Sequence, residues 1–238
     1  MDSYYRVVED HPEFLVVNKS PGIAIHADTE HDAGDSQGLL ALIKSEQKLA
    51  ELYPVHRLDK VTSGLLVMAK TRDANRALSM QFEQRSIEKY YLALSRRKPK
   101  KKQGKISGDM ERGRRGSWKL AGSQRNPAVT QFFSTAVLGE GRLFLLKPRT
   151  GKTHQLRVAL KSIGAPITGD GLYGGEVSDE PADRVYLHAY CLGFVLGGVT
   201  FRFVCPPDQG LLFQSSAFHN ACDQYGQPWE LLWPDLGM

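Results

Sequence analysis

Short apolar runs bounded by glycine and charged residues are the feature that most constrains the fold of this chain. Two clear examples are residues 14–18 (FLVVN) and 64–69 (GLLVMA). Runs of this length between turn residues are typical of strands. Amphipathic segments such as residues 73–85 lie between the runs, but without the regular spacing of βαβ units. The pattern predicts an α+β fold with a mixed sheet and flanking helices.

The same patterns predict the other elements of the chain. Strands are expected at residues 14–18, 64–69, 87–94, 129–137, 142–147, 185–196 and 200–205. Helices are expected at residues 38–51, 73–85, 154–163 and 209–221, and a polar, acidic loop is expected at residues 27–37. We find no internal repeat and no linker, so a single domain is predicted over residues 1–238.

The composition excludes several classes of protein. Hydrophobic residues make up 41% of the 238 residues and charged residues 24%, as in ordinary globular proteins. No apolar run approaches the roughly 20 residues of a membrane helix, and the polar N-terminus does not resemble a signal peptide. The three cysteines have no CxxC spacing, which argues against a disulfide scaffold or a zinc site. We therefore expect a cytoplasmic monomer without membrane contact.

Positive charge is concentrated in one segment. Residues 96–126 hold twelve Lys and Arg but only two acids, while the whole chain has a formal net charge of +5. An acidic body with one basic segment favours a polyanionic partner, either RNA or DNA, although a solvated, partly disordered loop is the alternative. The glycines at positions 104, 108, 113 and 116 favour a loop or ribbon over a helix. Candidate contacts to nucleic acid are Arg114, Arg115 and Lys119.

The segment at residues 56–70, HRLDKVTSGLLVMAK, holds the first candidate for chemistry. Asp59 lies between Arg57 and Lys60, directly before an apolar strand. Neighbouring cations favour the ionised carboxylate, and the strand would fix its position. By charge pattern alone, however, a salt-bridged loop before a strand is the more common interpretation.

Two further segments exclude other chemistries. Residues 149–157, RTGKTHQLR, suggest a phosphate-binding loop, but Leu146 occupies the position where that motif requires glycine. His26, His56, His154 and His188 have no metal-binding spacing, so no metal is predicted. The chain also lacks the Gly-x-Ser-x-Gly pattern of serine hydrolases. A hydrolase or metalloenzyme is therefore the least favoured hypothesis for this chain.

Taken together, these segments resemble the RluA-type pseudouridine synthases. HRLDKVTSGLLVMAK is similar to the family signature, and five other blocks follow the family's order over about residues 12–208. These blocks are KSPGIAIH at residues 19–26, KYYLAL at 89–94, GKTHQLRV at 151–158, GAPITGDGLYG at 164–174 and YLHAYCLGF at 186–194. The resemblance implies the pseudouridine synthase fold, with a mainly antiparallel central sheet around a catalytic cleft.

The resemblance also implies roles for individual residues. Asp59 corresponds to the catalytic aspartate, and Arg157 to the arginine that pairs with it. Tyr91 corresponds to the active-site tyrosine, with Tyr90 as the alternative one residue away. Arg57 corresponds to the arginine that fills the stack when the target base leaves it. The remaining substrate-binding candidates are His56, Leu156, which would form an apolar wall, and the basic-segment residues Arg114, Arg115 and Lys119.

The activity implied is isomerisation of a uridine to pseudouridine in structured rRNA or tRNA. This reaction involves no redox change, so no cofactor is expected. The target base would be flipped out of its stack, and residues 96–126 would grip the RNA. Ala159 and Ala165 depart from the family pattern, so substrate contacts are expected to differ there. With the first block near residue 13, we expect a stand-alone catalytic domain without an S4-type domain. The alternative is a non-catalytic RNA-binding or ribosome-assembly factor on the same fold.

Overall fold

A computed structural model describes residues 3–27, 37–174 and 181–235. Within these ranges the chain forms eleven strands, four α-helices and two short 3-10 helices. The strands are β1 (Tyr5–Asp10), β2 (Phe14–Lys19), β3 (Tyr53–Pro54), β4 (Ser63–Ala69), β5 (Glu88–Ser95), β6 (Gln103–Arg112), β7 (Trp118–Ala121), β8 (Pro127–Val137), β9 (Gly141–Pro148), β10 (Leu187–Leu196) and β11 (Val199–Val204). The α-helices are α1 (Leu39–Glu46), α2 (Arg72–Glu83), α3 (Gln155–Ser162) and α4 (Ser216–Cys222).

The chain divides into two compact units. The first comprises Met1–Glu88 and Cys191–Pro206, and the second comprises Lys89–Tyr190 and Pro207–Met238. We refer to them as the N-terminal unit and the C-terminal unit. Both are built from antiparallel strand pairs with helices packed against them, so the predicted α+β class with a mixed, mostly antiparallel sheet is confirmed.

The N-terminal unit is organised around strand β4. Strand β2 pairs with β4 along its whole length, from Phe14 opposite Ala69 to Lys19 opposite Gly64. Every residue of both strands is buried, which explains why their sequences are apolar runs rather than alternating patterns. Helix α2 begins where the Thr71 hydroxyl accepts a hydrogen bond from the amide of Ala74, and it buries Leu78. This packing makes β4 a rigid support for the loop that precedes it.

The C-terminal unit contains a run of antiparallel strands in the order β5-β9-β8-β6-β7. Strand β8 pairs with β9 on one side and with β6 on the other. The basic segment therefore forms a ribbon, as predicted from its glycines, with β6 and β7 as a hairpin on the edge of the sheet. Helix α3 packs against this hairpin and against β8 and β9.

Most predicted elements are confirmed, with shifted ends. The expected helix at residues 209–221 is wrong as a single element, because Ser215 is extended and separates a 3-10 turn (Leu211–Gln214) from α4. Strands β1 and β3 were not predicted from the sequence. The acidic loop expected at residues 27–37 lies largely outside the described residues.

Two kinds of feature are absent from the described ranges. None of the helices there is long and apolar enough to cross a membrane. No group of three or more histidine, cysteine or acidic side chains in those ranges is arranged to hold a metal ion.

Candidate active site

Asp59 lies in the turn that leads into β4. The backbone amide of Thr62 donates to the carbonyl oxygen of Asp59 at 3.0 Å, and Thr62 and Ser63 are buried directly after it. The Asp59 side chain is partly exposed. The turn thus holds the Asp59 carboxylate where solvent reaches it, directly before the start of β4. This strand cannot move without disrupting the core of the N-terminal unit.

A buried lysine fastens this turn to the KSPG segment. Lys19 is fully buried, and its ammonium donates to the carbonyl oxygens of Ser20, Ile23 and Lys60 at 2.8, 2.9 and 3.2 Å. The amide of Gly22 also donates to the Lys60 carbonyl, at 2.8 Å. An ammonium can leave water only when its hydrogens find acceptors, and here three carbonyls supply them. The residue after Asp59 is therefore tied to a second segment of chain.

His56 supports the same turn from the other side. Its Nε2 accepts a hydrogen bond from the backbone amide of Val67 at 3.1 Å, and its ring stacks on Phe82 at a centroid distance of 4.6 Å. These contacts hold His56 against β4 and α2. Arg57, next in the chain, is exposed. The predicted contacts of His56 and Arg57 with substrate stay predictions.

In the C-terminal unit, β5 separates the two candidate tyrosines. Tyr90 is buried, its ring lies 5.6 Å from that of Trp233, and the ammonium of Lys147 is 5.0 Å from its centroid. Tyr91 is partly exposed and pairs with Leu146 of β9. Successive side chains of a strand point to opposite faces, so only one of the two can face a ligand from a given side. The packing of Tyr90 favours Tyr91 as the site residue.

Arg157 forms a forked ion pair with Asp170. Its Nε donates to Oδ2 at 2.7 Å and its Nη2 donates to Oδ1 at 2.8 Å. Both side chains are buried, with 7% and 0% of their surface exposed. A planar guanidinium held at two atoms has one orientation, which lysine could not provide. The two bonds use two of the five N–H groups that a guanidinium carries.

Asp170 was not singled out in the sequence, where GAPITGDGLYG counted only as one of the family blocks. Its carboxylate also accepts from the amides of Leu172 and Tyr173, at 3.2 and 3.3 Å. An aspartate between glycines, thirteen residues after an arginine of a predicted helix, is too weak a signal to indicate this pair. The loop conformation, not the spacing, brings the two together.

The segment before Arg157 is fixed by a buried glutamine. The side-chain oxygen of Gln155 accepts from the Thr150 hydroxyl at 2.6 Å and from the Lys152 amide at 3.0 Å. Its side-chain nitrogen donates to the Val129 carbonyl at 3.1 Å and to the Thr130 hydroxyl at 3.0 Å. All four hydrogen-bonding positions of the amide are thereby used. The start of α3, which carries Leu156 and Arg157 as buried residues, is fixed against β8.

Tyr173 links this helix to the basic hairpin. Its hydroxyl accepts from the backbone amide of Trp118 at 2.9 Å and lies 2.9 Å from Nδ1 of His154. The guanidinium carbon of Arg157 lies 5.0 Å from the centroid of the Tyr173 ring, within the range of a cation–π contact. One buried aromatic residue therefore contacts the hairpin, the first residue before α3 and the arginine of the ion pair.

Lys89 lies on the same face of β5 as Tyr91, two residues away. Burial lowers the pKa of the Lys89 ammonium from its ordinary value, because the charged form loses hydration. Its nitrogen lies near Gly151, so that a Cβ on this glycine would be 3.8 Å away. The Lys89 nitrogen thus borders the RTGKTH segment and lies on the same face of β5 as the partly exposed Tyr91.

The cations of the hairpin differ in their surroundings. Arg114 and Arg115 are exposed at its tip, and the guanidinium of Arg112 lies 5.7 Å from the Trp118 ring. Lys119 pairs with Glu111 across the two strands at 3.0 Å. Lys119 therefore has a local counter-charge, whereas the tip arginines are directed to solvent. Their contact with RNA stays a prediction.

The predicted site residues fall into two groups by unit. His56, Arg57 and Asp59 belong to the N-terminal unit, whereas Tyr91 and the pair of Leu156 and Arg157 belong to the C-terminal unit, as do the hairpin cations. The predicted pairing of Asp59 with Arg157 stays a prediction.

A comparison with known protein families decides what these residues belong to. The family model described as RNA pseudouridylate synthase matches residues 13–162, a segment that includes Asp59, Tyr91 and Arg157. The chain belongs to this family. Membership confirms the resemblance to RluA-type synthases and makes this synthase an isomerase.

Individual relatives agree with the family match. An uncharacterized RNA pseudouridine synthase of Haemophilus influenzae is 49% identical over 204 residues, which cover 86% of this synthase and 88% of the relative. Ribosomal large subunit pseudouridine synthase C of Escherichia coli is 34% identical over 215 residues, which cover 85% and 66% of the two chains. The synthase spans a smaller share, 59%, of a Bacillus subtilis relative named as an RNA pseudouridine synthase.

A solved structure supports the fold. Human RNA Pseudouridylate Synthase Domain Containing 1 superposes with a TM-score of 0.69 at 30% identity, over 85% of this chain and 83% of the human one. The predicted pseudouridine synthase fold is therefore confirmed.

Proposed function

We propose that this synthase converts a specific uridine of a structured RNA into pseudouridine, with Asp59 as its catalytic carboxylate. The observation that carries the proposal is the family match over residues 13–162, which includes the HRLD turn. The bracing of that turn by Lys19 and His56 supports it, since catalysis requires a carboxylate held in one place. The reaction breaks the bond from C1′ to N1 of uracil, turns the base and joins C1′ to C5.

Asp59 has two chemical routes in this reaction. It either attacks C1′ as a nucleophile or removes the proton from C2′, and the glycosidic bond to N1 breaks in both cases. In the first route the bond from Asp59 to C1′ breaks as C5 joins C1′, and in the second the proton returns to C2′ as that bond forms. The proton on C5 then leaves and N1 gains one, so the atoms of the uridine are conserved. Both routes require the ionised carboxylate.

Arg157 and Tyr91 have complementary roles in the proposal. Arg157, oriented by Asp170, pairs with the Asp59 carboxylate. Tyr91 acts at C5 as a base or proton relay, and its ring stacks on the uracil. No group from outside the chain is needed, because nothing is oxidised, reduced or transferred to another molecule.

The target uridine is flipped out of its stack before the reaction. Flipping costs a few kcal/mol, and part of this is offset if Arg57 fills the space that the base leaves. The exposure of Arg57 next to the catalytic turn supports this role. The hairpin cations bind phosphates and add affinity without sequence preference.

We further propose that large-subunit rRNA or tRNA supplies the uridine and that the synthase acts as a monomer. Two relatives are named as ribosomal large subunit pseudouridine synthases, which makes rRNA the first RNA to examine. Pseudouridine mapping of total RNA from cells with and without the gene identifies the position.

The proposal is tested by replacing Asp59 with asparagine. Release of tritium from RNA labelled at C5 of uridine should fall by about 10²-fold or more, since the carboxylate performs the chemical step. Asp73→Asn is the control, because Asp73 is an exposed acid at the start of α2 in the same unit. Full activity of Asp59→Asn would refute the assignment. Wild-type protein that binds RNA without releasing tritium would favour the non-catalytic alternative.

A further inference from the structure

The cations of the basic segment, residues 96–126, form two separate groups, one at residues 96–102 and one at the tip of the hairpin. Residues 96–102 hold six cations and no acid, and all six cationic side chains are exposed. The six are Arg96, Arg97, Lys98, Lys100, Lys101 and Lys102. None of the six forms a salt bridge with any residue in the described part of the chain. We call residues 96–102 the basic turn.

The basic turn occupies a defined place in the C-terminal unit. It follows Ser95, which pairs with Arg142, so it lies at the end of the sheet where β8 turns into β9. Its start is closely packed there, because a Cβ on Gly141 would lie 2.4 Å from the Ser95 carbonyl oxygen. Pro99 in its middle is buried. The backbone of the turn is thus packed while its charges face water.

The tip of the hairpin lies at the other end of β6. This strand runs from Gln103, next to the basic turn, to Arg112, next to the exposed tip arginines. Ten residues at about 3.3 Å each give a separation of about 30 Å between the two groups of cations. The tip is also the group joined to Arg157, through the bond between Trp118 and Tyr173.

The strand between the two groups carries little net charge. On the outward face of β6, Lys105 is accompanied by the acids Asp109 and Glu111, and Glu111 is paired with Lys119 of β7. A polyanion therefore meets strong positive charge at the two ends of the strand and nearly none along it. Charge in two places 30 Å apart fits a partner with phosphates at the same separation, on the order of ten base pairs of duplex.

We propose that the basic turn is a second RNA-backbone contact, separate from the hairpin tip, and that the substrate is a folded RNA long enough to reach both. This inference rests on the proposed function, since it takes RNA as the partner. It narrows the substrate class: a short stem-loop bound at the tip does not reach the basic turn about 30 Å away, whereas an extended helix or a tRNA-sized fold reaches both.

The experiment compares three variants on RNA duplexes of 8 and 24 base pairs. The basic-turn variant replaces Lys98, Lys100, Lys101 and Lys102 with glutamine, and the tip variant is Arg114→Gln with Arg115→Gln. The control is Lys44→Gln with Arg76→Gln, two exposed cations of the N-terminal unit. Affinity is measured against salt concentration, since each lost phosphate contact lowers the slope by about 0.7 to 0.9.

On the 24-base-pair duplex, the basic-turn variant should have a slope lower by about 3. Both proteins lose affinity between 50 and 200 mM salt, and the fold-loss of the variant should be smaller than that of the wild type by a factor of about 50 to 100. On the 8-base-pair duplex, which covers one group at a time, the tip is intact and the change should be small. A wild-type slope on the long duplex, or equal losses on both duplexes, would overturn the proposal.

Tritium release separates this proposal from the proposed function. At saturating RNA, kcat of the basic-turn variant should equal that of the wild type, while KM rises for a full-length transcript and not for a short stem-loop. A slope that changes as expected with no tritium release from any RNA would leave the contact standing and reject the isomerase. Full tritium release by the basic-turn variant, with an unchanged salt slope and an unchanged KM, would support the isomerase and reject the second RNA contact.

Discussion

The pair of Arg157 and Asp170 shows what a single residue contributes to this site. Arg157 is buried, and the two bonds from Asp170 fix the plane of its guanidinium. Removal of one partner from a buried ion pair is costly because the other charge is left without compensation. Orientation and stability therefore depend on the same carboxylate.

Asp170→Asn should lower the free energy of unfolding by about 3 to 5 kcal/mol, because the variant keeps the shape of the side chain but loses its charge. Urea unfolding measures this change, and tritium release should fall with it because Arg157 loses its orientation. The control is Glu111→Gln, which removes one partner of the exposed pair with Lys119 and should cost no more than about 1 kcal/mol. Equal urea midpoints for the two variants would contradict the prediction.

At the scale of elements, the hairpin of β6 and β7 depends on a close approach of its strands. A Cβ on Gly108 would lie 2.3 Å from the carbonyl oxygen of Ala121, closer than atoms can approach. Only glycine lets β7 reach β6 at this position. The hairpin and the tip that it carries therefore depend on one missing methyl group.

Gly108→Ala should open the β6–β7 pairing and destabilise the protein by about 1 to 3 kcal/mol, as over-packed positions do. Faster hydrogen exchange at the amides of β7 and weaker RNA binding are the expected measurements. Gly122→Ala is the matched control, because no atom lies within 4 Å of its added Cβ. Slow exchange in the Gly108 variant would show that the hairpin adapts.

The base of the hairpin should respond to acid through Asp109. The Ser123 hydroxyl lowers the pKa of the Asp109 carboxyl from its ordinary 3.8; partial burial opposes this, and the amides of Asn126 and Arg125 and the charge of Lys152 add to it. Because the pKa of Asp109 is lower in the folded protein than in the unfolded chain, the ionised carboxylate stabilises the fold at pH values above the unfolded-state pKa. This stabilisation is lost as the pH falls through the folded-state pKa.

Below about pH 4, the amide signals of Arg125 and Asn126 should therefore shift as their bonds to Asp109 are lost. Nuclear magnetic resonance during an acid titration measures this. In Asp109→Asn the same signals should lack the transition. A transition that persists in this variant would assign it to another group.

At the scale of the whole molecule, the sequence predicts the elements that are buried on both faces. Residues 64–69 form an apolar run, and the strand observed there, Ser63–Ala69, is buried throughout. A strand of this kind can be predicted from its own residues, without knowledge of its partners in the sheet. The HRLD turn was singled out because HRLDKVTSGLLVMAK resembles the family signature, whereas its charge pattern alone favoured a salt-bridged loop.

Other features could not be predicted because they depend on contacts between distant segments. Strand β1 alternates only weakly and is defined by its pairing with β2. The basic segment reads as one patch, whereas strand pairing divides it into a turn and a tip. Lys19 and Asp170 act through partners forty-one and thirteen residues away, and no local pattern encodes those distances.

Strand β6 pairs with β8 over residues 103–109 and with β7 over residues 109–112, so strand pairing continues along its whole length. If both groups of cations bind RNA as proposed, the paired strand between them acts as the spacer of a bivalent receptor. Once one end is occupied, the effective concentration at the other depends on the curvature of the RNA rather than on its base sequence. Two contacts of this kind would discriminate between RNAs by their curvature and stiffness, before any uridine binds in the active site.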